Sequence, residues 1–294
     1  MFTYFHNLAI YKIISRFILL SLVCISPQLA FADEKPAIKF GVLSIAQPSR
    51  IFDKWQPFAN YMSEALNQPV EIIVPRGFGK MKKAITKGEV DFFYINSHVF
   101  YRLTQKDIAV AVAQMKNIAG GITSRSEVFV KRDSGIKKVM DLKGKSIAYV
   151  SPMGAGGYVA PRASLNQSGL NSGVDSKEVF TKNLSNSIHG VLLGDYDAGT
   201  MCGVNYKLMS QKIKTGDLIV INVSEPYPEN VIGARASLSK NVIERFKEIV
   251  LNMPKNPKGV ALLAEMKSMK IQSFVKYDKK SEALTKSLLK ISRI

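Results

Sequence analysis

From Ile38 onward, short apolar runs of strand length alternate with segments whose apolar residues recur at helical spacing, and this alternation restricts the chain to an α/β fold. Residues 38–43 read as a buried strand. The next segment places Ile51, Trp55, Phe58, Ala59, Met62, Ala65 and Leu66 on one helical face, with Ser49 as its cap and Asn67 at its end. Strands at 70–74, 91–95 and 108–114 then alternate with helices at 80–87 and 98–103. Strand, helix and strand at this spacing predict a parallel sheet joined by right-handed crossovers.

After Gly120-Gly121 and the run at 128–131 the alternation restarts. Helices are predicted at 136–142, 158–168, 186–193 and 205–211, and strands at 146–150, around Val179, at 197–201 and at 218–223. The restart implies a second lobe. Beyond Pro226 and Pro228 the sequence reads as mostly helical, at 241–251, 257–266 and 278–291. A chain of 294 residues is long enough to bury a core in each of two lobes.

Residues 1–32 stand apart from this pattern. Lys12 and Arg16 precede an apolar run at 18–25, and Ala30-Phe31-Ala32 has the small-x-small spacing of a signal peptidase site. A secretory signal peptide cleaved after Ala32 is expected, and with it a soluble protein exported to the periplasm. Ser26-Pro27 stops the run well short of the ~20 apolar residues a membrane span needs. Val23 before Cys24 argues against a lipid anchor. After cleavage Cys202 is the one cysteine, either buried and inert or a thiol lining a pocket. His98 and His189 lie far apart, with no CxxC or HxxxH spacing, so no metal site is expected.

Ligands of open α/β sheets bind beyond the carboxyl ends of the strands, where helix N-termini present unpaired N–H groups. That rule selects 44–49, 75–79, 96–98, 151–157, 200–205 and 227–230. The loop Ser151-Pro152-Met153-Gly154-Ala155-Gly156-Gly157, opening a helix at Tyr158, has the composition of an anion site; a flexible turn or a tight helix–strand contact would use the same glycines. Nucleotide signatures fail. Gly144-Lys145-Ser146 would place the first P-loop glycine on Val139 and leads into a strand, Gly77-Phe78-Gly79 lacks a third glycine, and no GxSxG occurs. Asp91, Asp195 and Asp197 read as caps and not as general bases. No catalytic constellation, and no cofactor motif, is present, so an enzyme is not expected.

Five stretches carry a resemblance. They are Gly88-Glu89-Val90-Asp91-Phe92; Val128-Phe129-Val130-Lys131-Arg132-Asp133-Ser134-Gly135-Ile136 with Asp141-Leu142-Lys143-Gly144-Lys145; the segment 152–161; Gly194-Asp195-Tyr196-Asp197-Ala198-Gly199; and 224–235. In order and spacing, the chain resembles the periplasmic phosphonate-binding (PhnD-like) family of ABC-transporter substrate-binding proteins. The resemblance implies a type II periplasmic-binding fold: two α/β lobes, 33–129 plus 224–294 and 130–223, with two crossovers near 129–132 and 222–224 as hinge. It also implies a small ligand captured between the lobes and an inner-membrane ABC permease as partner. A membrane sensor kinase is the alternative partner, because the fold serves both.

Carried over residue by residue, the family's site is altered. Its hydroxyl cluster falls on Gly154, Ala155 and Gly156, its first-lobe tyrosine on Phe78, and its ligand histidine on Leu184, with His189 five positions later. The acids that hold an ammonium in some members fall near Val204 and on Asn230. The expected ligand-binding residues are Phe78, Tyr94, Asn96, Met153, Gly154, Ala155, Gly156, Gly157, Tyr158, Cys202, Tyr227 and Asn230. This lining is more apolar than a phosphonate site, which predicts a different anion: one that is larger and partly apolar, or one held by backbone N–H groups.

The net charge of +18 fits that reading in part only. Residues 240–294 hold 13 basic and 5 acidic residues, so much of the excess lies on the C-terminal helices, away from the expected pocket. Those helices lack interleaved aromatics, and an exported chain does not meet cytoplasmic nucleic acid, so nucleic acid is not an expected partner. A monomer is expected.

Overall fold

The computed structural model describes residues 35–43, 48–211, 213 and 216–294. The predicted leader at 1–32 and most of the 44–49 loop lie outside the described residues. The chain begins β1 (Ile38–Val42), α1 (Pro48–Leu66), β2 (Val70–Ile73), α2 (Phe78–Thr86), β3 (Phe92–Ile95), α3 (Ser97–Thr104), β4 (Ala109–Asn117) and β5 (Thr123–Ser124). It continues through β6 (Ser126–Lys131), β7 (Ser146–Tyr149), α4 (Ala160–Gln167), β8 (Lys177–Phe180), α5 (Leu184–Leu193), β9 (Ala198–Cys202), α6 (Gly203–Ser210) and β10 (Leu218–Val223). The return comprises β11 (Tyr227–Pro228), β12 (Val231–Arg235), α7 (Lys240–Asn252), α8 (Pro257–Met266), β13 (Ile271–Val275) and α9 (Lys279–Ser292).

Two sheets organise these elements. The first has the order β13-β4-β12-β3-β1-β2 and the second β10-β6-β9-β7-β8. The parallel sheet expected from the alternation is realised where β1 meets β2 and β3, and where β7 meets β8 and β9. Both sheets are nevertheless mixed. Strand β12 returns from the second lobe and inserts antiparallel between β3 and β4, and β13 pairs antiparallel on β4. These two strands lie in the stretch that periodicity read as helical. Gly233 shows what the insertion requires: a Cβ there would meet the Phe93 ring at 2.6 Å, so only glycine lets β12 lie this close.

Aromatic packing holds the first lobe together. The apolar face of α1 buries Trp55, Phe58, Ala59, Met62 and Leu66 against β1, where Phe40 contacts the Trp55 and Phe58 rings. Phe92 and Phe246 stack with centroids 3.8 Å apart. Each such side chain, fully buried, contributes roughly 1.5–3 kcal/mol. In the second lobe Val128, Val130, Ile147, Tyr149 and Ala163 form a separate core. Arg162 of α4 pairs there with Glu178 of β8, which also accepts from the Tyr158 hydroxyl at 3.0 Å.

The crossovers differ from the predicted ones. Residues 126–129, expected in the first lobe, belong to β6, which pairs with β9 and β10 inside the second sheet. The chain passes between lobes beside the short ladder of β5 with β11, where Tyr227 pairs with Ser124. The expected helix at 136–142 is a single 3-10 turn, Val139–Leu142: the Asp141 carboxylate takes the N–H groups of Lys137 and Lys138 as a cap that sets its start, and the extended backbone of Lys143 ends it.

The C-terminal helix was assigned with 224–294 to the first lobe, and it contacts both. Leu288 and Leu289 pack into the second core, and Arg162 Nε donates to the Ser292 carbonyl at 2.7 Å. Ser281 at the other end meets the Gln114 side chain of β4, buried in the first lobe. Amphipathic spacing exposes an apolar face in sequence but carries no information about which lobe covers it.

Candidate functional site

A cavity of ≈ 220 Å³ lies where the lobes face one another. Its second-lobe wall begins with the glycine loop. Gly154 caps a turn of π-helix, Ala155–Val159, that leads into α4. Pro161 causes the irregularity in part: lacking an N–H, it cannot bond the Gly157 carbonyl, and Thr200 Oγ1 donates to that oxygen instead at 2.9 Å. The Ala160 N–H reaches back to the Ala155 carbonyl, which frees the Gly156 carbonyl for Ser126 Oγ. The loop's carbonyls are thus tied to the strands behind it. The N–H groups of Ala155, Gly156 and Gly157 have no acceptor among the described residues, and all three residues line the cavity. Successive free N–H groups at a helix start make an anion cradle.

Gly156 has a steric role as well. A Cβ there would fall 2.2 Å from the Tyr227 hydroxyl, so glycine admits the tyrosine against the cradle. Cys202 closes the N-terminus of α6 beside the same hydroxyl. Burial pushes its thiol pKa up, partly offset by Tyr227 and by the N–H groups of Asn205 and Val204. The cysteine therefore lines the cavity as a protonated, weakly polar group and is unsuited to act as a nucleophile.

The first lobe contributes side chains. Phe78, at the start of α2, and Tyr94, on β3, give aromatic surface. Tyr94 donates to Met115 Sδ at 2.8 Å, and burial, followed by the Glu229 charge, holds its hydroxyl far above the ordinary range. Asn96 lines the cavity with both ends of its amide engaged: Oδ1 caps α3 by accepting from the Val99 N–H, and Nδ2 donates across the cleft to the Met153 carbonyl at 3.0 Å. It holds the lobes together and has little left to offer a ligand.

Ten of the twelve expected residues stand around this cavity; Met153 and Tyr158 do not. Met153 packs against the first-lobe core, and Tyr158 turns into the second core against Tyr149, Phe180 and Arg162. A helix that starts three residues before Tyr158 carries that ring to its buried face. Leu184 and Val204 line the cavity, as the residue-by-residue comparison implies, whereas His189 is exposed on α5.

Sequence reasoning missed Met115, Asn117, Ser124, Met269 and Lys270, and it did not single out Glu229 within 227–230. Strand β4 runs three residues past its predicted end, and Met269 with Lys270 arrives through the unforeseen β13. The extension, Met115-Lys116-Asn117, holds no β-branched residue and a single apolar one, so composition gave no signal for it.

Comparison with known proteins follows the same line. The sequence model described as "ABC transporter, phosphonate, periplasmic substrate-binding protein" matches residues 40–281. A binding-protein component of an ABC phosphonate transporter from Pseudomonas aeruginosa is similar in fold, with TM-score 0.75, 18% identity and coverage of 88% of this chain and 87% of that one. PhnD1 from Prochlorococcus marinus, solved with methylphosphonate, gives 0.71, 17%, 87% and 97%. The tetrathionate sensor histidine kinase TtrS of Salmonella typhimurium is 27% identical over 145 residues, 48% of this chain and 24% of that protein, so the match spans about a quarter of the relative's length. The two solved structures show the fold alone; the match over 40–281 reaches further, and the chain belongs to the periplasmic phosphonate-binding family of ABC-transporter substrate-binding proteins, which bind solutes.

Proposed function

We propose that this protein captures a small anion between its lobes in the periplasm and presents it to an ABC permease, with the anion seated on the N–H groups of Ala155, Gly156 and Gly157. That cradle is the observation that carries the reading. Its free N–H groups, the N-termini of α5 and α6 at Leu184 and Val204, and Lys270 supply positive potential around a cavity that Phe78, Tyr94, Met115 and Met269 also line. Ligand entry draws the lobes together about the β5/β11 ladder, and Asn96 to Met153 is one bond made across the closed cleft. The mature chain begins after Ala32 and acts as a monomer.

The replacement of the family's hydroxyls by Gly154, Ala155 and Gly156 supports a ligand other than a simple alkylphosphonate. Main-chain donors grip an oxyanion without matching its full tetrahedral shell, and the freed space suits a bulkier body. Isothermal titration of the purified mature protein against methylphosphonate, phosphite, phosphate, thiosulfate and tetrathionate tests this. Binding of an oxyanion other than methylphosphonate is the expected result, and tight, selective methylphosphonate binding overturns it.

The TtrS similarity favours one second reading, in which the liganded protein addresses a membrane sensor kinase. Pull-down of the closed, ligand-saturated protein with solubilised inner membrane separates the two, since a permease and a kinase are distinct catches.

A further inference from the structure

One peptide of the cradle has no donor within its own turn to hold it. The Gly156 carbonyl would take the N–H of Ala160 in an α-helix or of residue 161 in a π-turn, but the Ala160 N–H bonds to the Ala155 carbonyl and Pro161 has none. Glycine lies on both sides of this peptide, so main-chain sterics do little to oppose its rotation. Among the described residues the Ser126 hydroxyl is what holds the carbonyl. Ser126 opens β6 at the outward crossover and is fully buried. The return crossover clamps it: the Ser126 N–H donates to Ser224 Oγ at 2.9 Å, and the Ser126 carbonyl accepts from the Ser224 N–H at 2.8 Å. In a planar trans peptide the C=O and the following N–H point in opposite directions. A hydroxyl behind the loop that fixes the Gly156 carbonyl therefore turns the Gly157 N–H the other way, and Gly157 lines the cavity.

We infer that Ser126 is a positioning residue of the anion cradle, which holds the Gly156–Gly157 peptide so that its N–H, and not its carbonyl, faces the ligand. The inference rests on the anion-capture reading. Ser126 itself touches no ligand and acts through Gly157. Without the hydroxyl the peptide can rotate about the ψ of Gly156 and the φ of Gly157, and half a turn puts the carbonyl oxygen where the N–H was. The cradle then loses a donor and meets an anion with a partial negative charge. The same rotation carries the φ of Gly157 to positive values, which glycine accepts and alanine resists. In the pinned orientation Gly157 is not among the glycines with positive φ, so an alanine fits there.

The rotation supplies the test. Calorimetric titration uses whichever of methylphosphonate, phosphite, phosphate, thiosulfate and tetrathionate binds the wild type most tightly. Ser126→Ala is expected to weaken that anion about tenfold, as the competent orientation falls to about a tenth of the population. Adding Gly157→Ala to Ser126→Ala is expected to return affinity to within about twofold of Gly157→Ala alone, because the methyl group bars the rotated form without restoring the lost bond. The same loss in the single and double variants gives Ser126 a structural role only and overturns the inference, as does a Ser126→Ala protein that binds like the wild type. Isotope-labelled glycine gives an NMR reading that needs no variant at Ser126. The amide signal that disappears in Gly157→Ala should move downfield as the wild type is titrated with the same anion, and an unmoved signal overturns the inference even where Ser126→Ala fails to fold. A wild type that binds none of these anions overturns anion capture and this inference with it.

Discussion

The two lobes meet the cavity with different materials. The second presents main chain, the N–H groups of Ala155 to Gly157, and the first presents side chains, among them Phe78, Tyr94, Asn96 and Lys270. A backbone grip is indifferent to what the ligand carries beyond its charge and oxygens, whereas aromatic and amide side chains read shape and donors. On the proposed reading the contrast divides the labour, with affinity for an anion residing mainly in the second lobe and discrimination in the first. The same reading lets the family's hydroxyl cluster be replaced while main-chain donors remain, since N–H groups survive any substitution except proline.

The contrast breaks most visibly at Gly156. Its absent Cβ is 2.2 Å from the Tyr227 hydroxyl, so Gly156→Asp both displaces the tyrosine and puts a carboxylate on the cradle. Anion affinity should fall on the order of 1000-fold. Gly157→Ala is the control, because a Cβ there makes only ordinary contact with Val150 at 3.7 Å and leaves the N–H in place. Its titration curve should overlay the wild type. Equal losses in the two variants would mean that the loop matters for its flexibility and not for its N–H groups.

How much of this contrast could be read in the sequence follows from the same physics. Local periodicity located α1, β1 to β3 and the second-lobe alternation, because each of these buries a face at its own natural period. It missed β12 and β13, whose short apolar runs are made into strands by neighbours far away in the chain, Phe93 and Met115 among them. At the site, the glycine loop and Leu184 were legible as positions aligned to a family pattern. Tyr158 and Met153 were not, because a shift of three residues in the helix start decides which side chain faces the cavity. Asn96 lines the cavity with both ends of its amide already bonded, which no sequence signal shows.

A smaller effect tests the seam between lobes. His98 on α3 is buried, and its Nδ1 has no hydrogen-bond partner among the described residues. Burial, followed by the Arg102 charge, lowers its pKa from 6.5 to about 4 against the opposing pull of the Met153 carbonyl. Between these values the unfolded chain binds a proton that the folded chain does not, so stability is full above pH 6.5 and declines as pH falls toward 4. The integrated loss is about 3 kcal/mol at most. Denaturant melts of the wild type and His98→Gln from pH 7.5 to 4 should converge at low pH by this amount, whatever carboxylates add to both. Parallel curves would show that the imidazole titrates freely.

Asn96 gives the finest test, because its two bonds serve different ends and one substitution separates them. Asp at position 96 remains an effective helix cap for the Val99 N–H, so the first lobe should keep its stability. The donor to Met153 is replaced by an oxygen facing a carbonyl oxygen, which removes one bond across the cleft and adds a repulsion. The cost, about 1 kcal/mol, should fall on closure alone and weaken every bound anion by the same factor of about five. Uniform weakening with an unchanged melting temperature identifies Asn96 as a clasp. A loss that depends on the ligand would make it a reader of ligands instead, and the first lobe's amide would then act on the ligand itself and not only on closure.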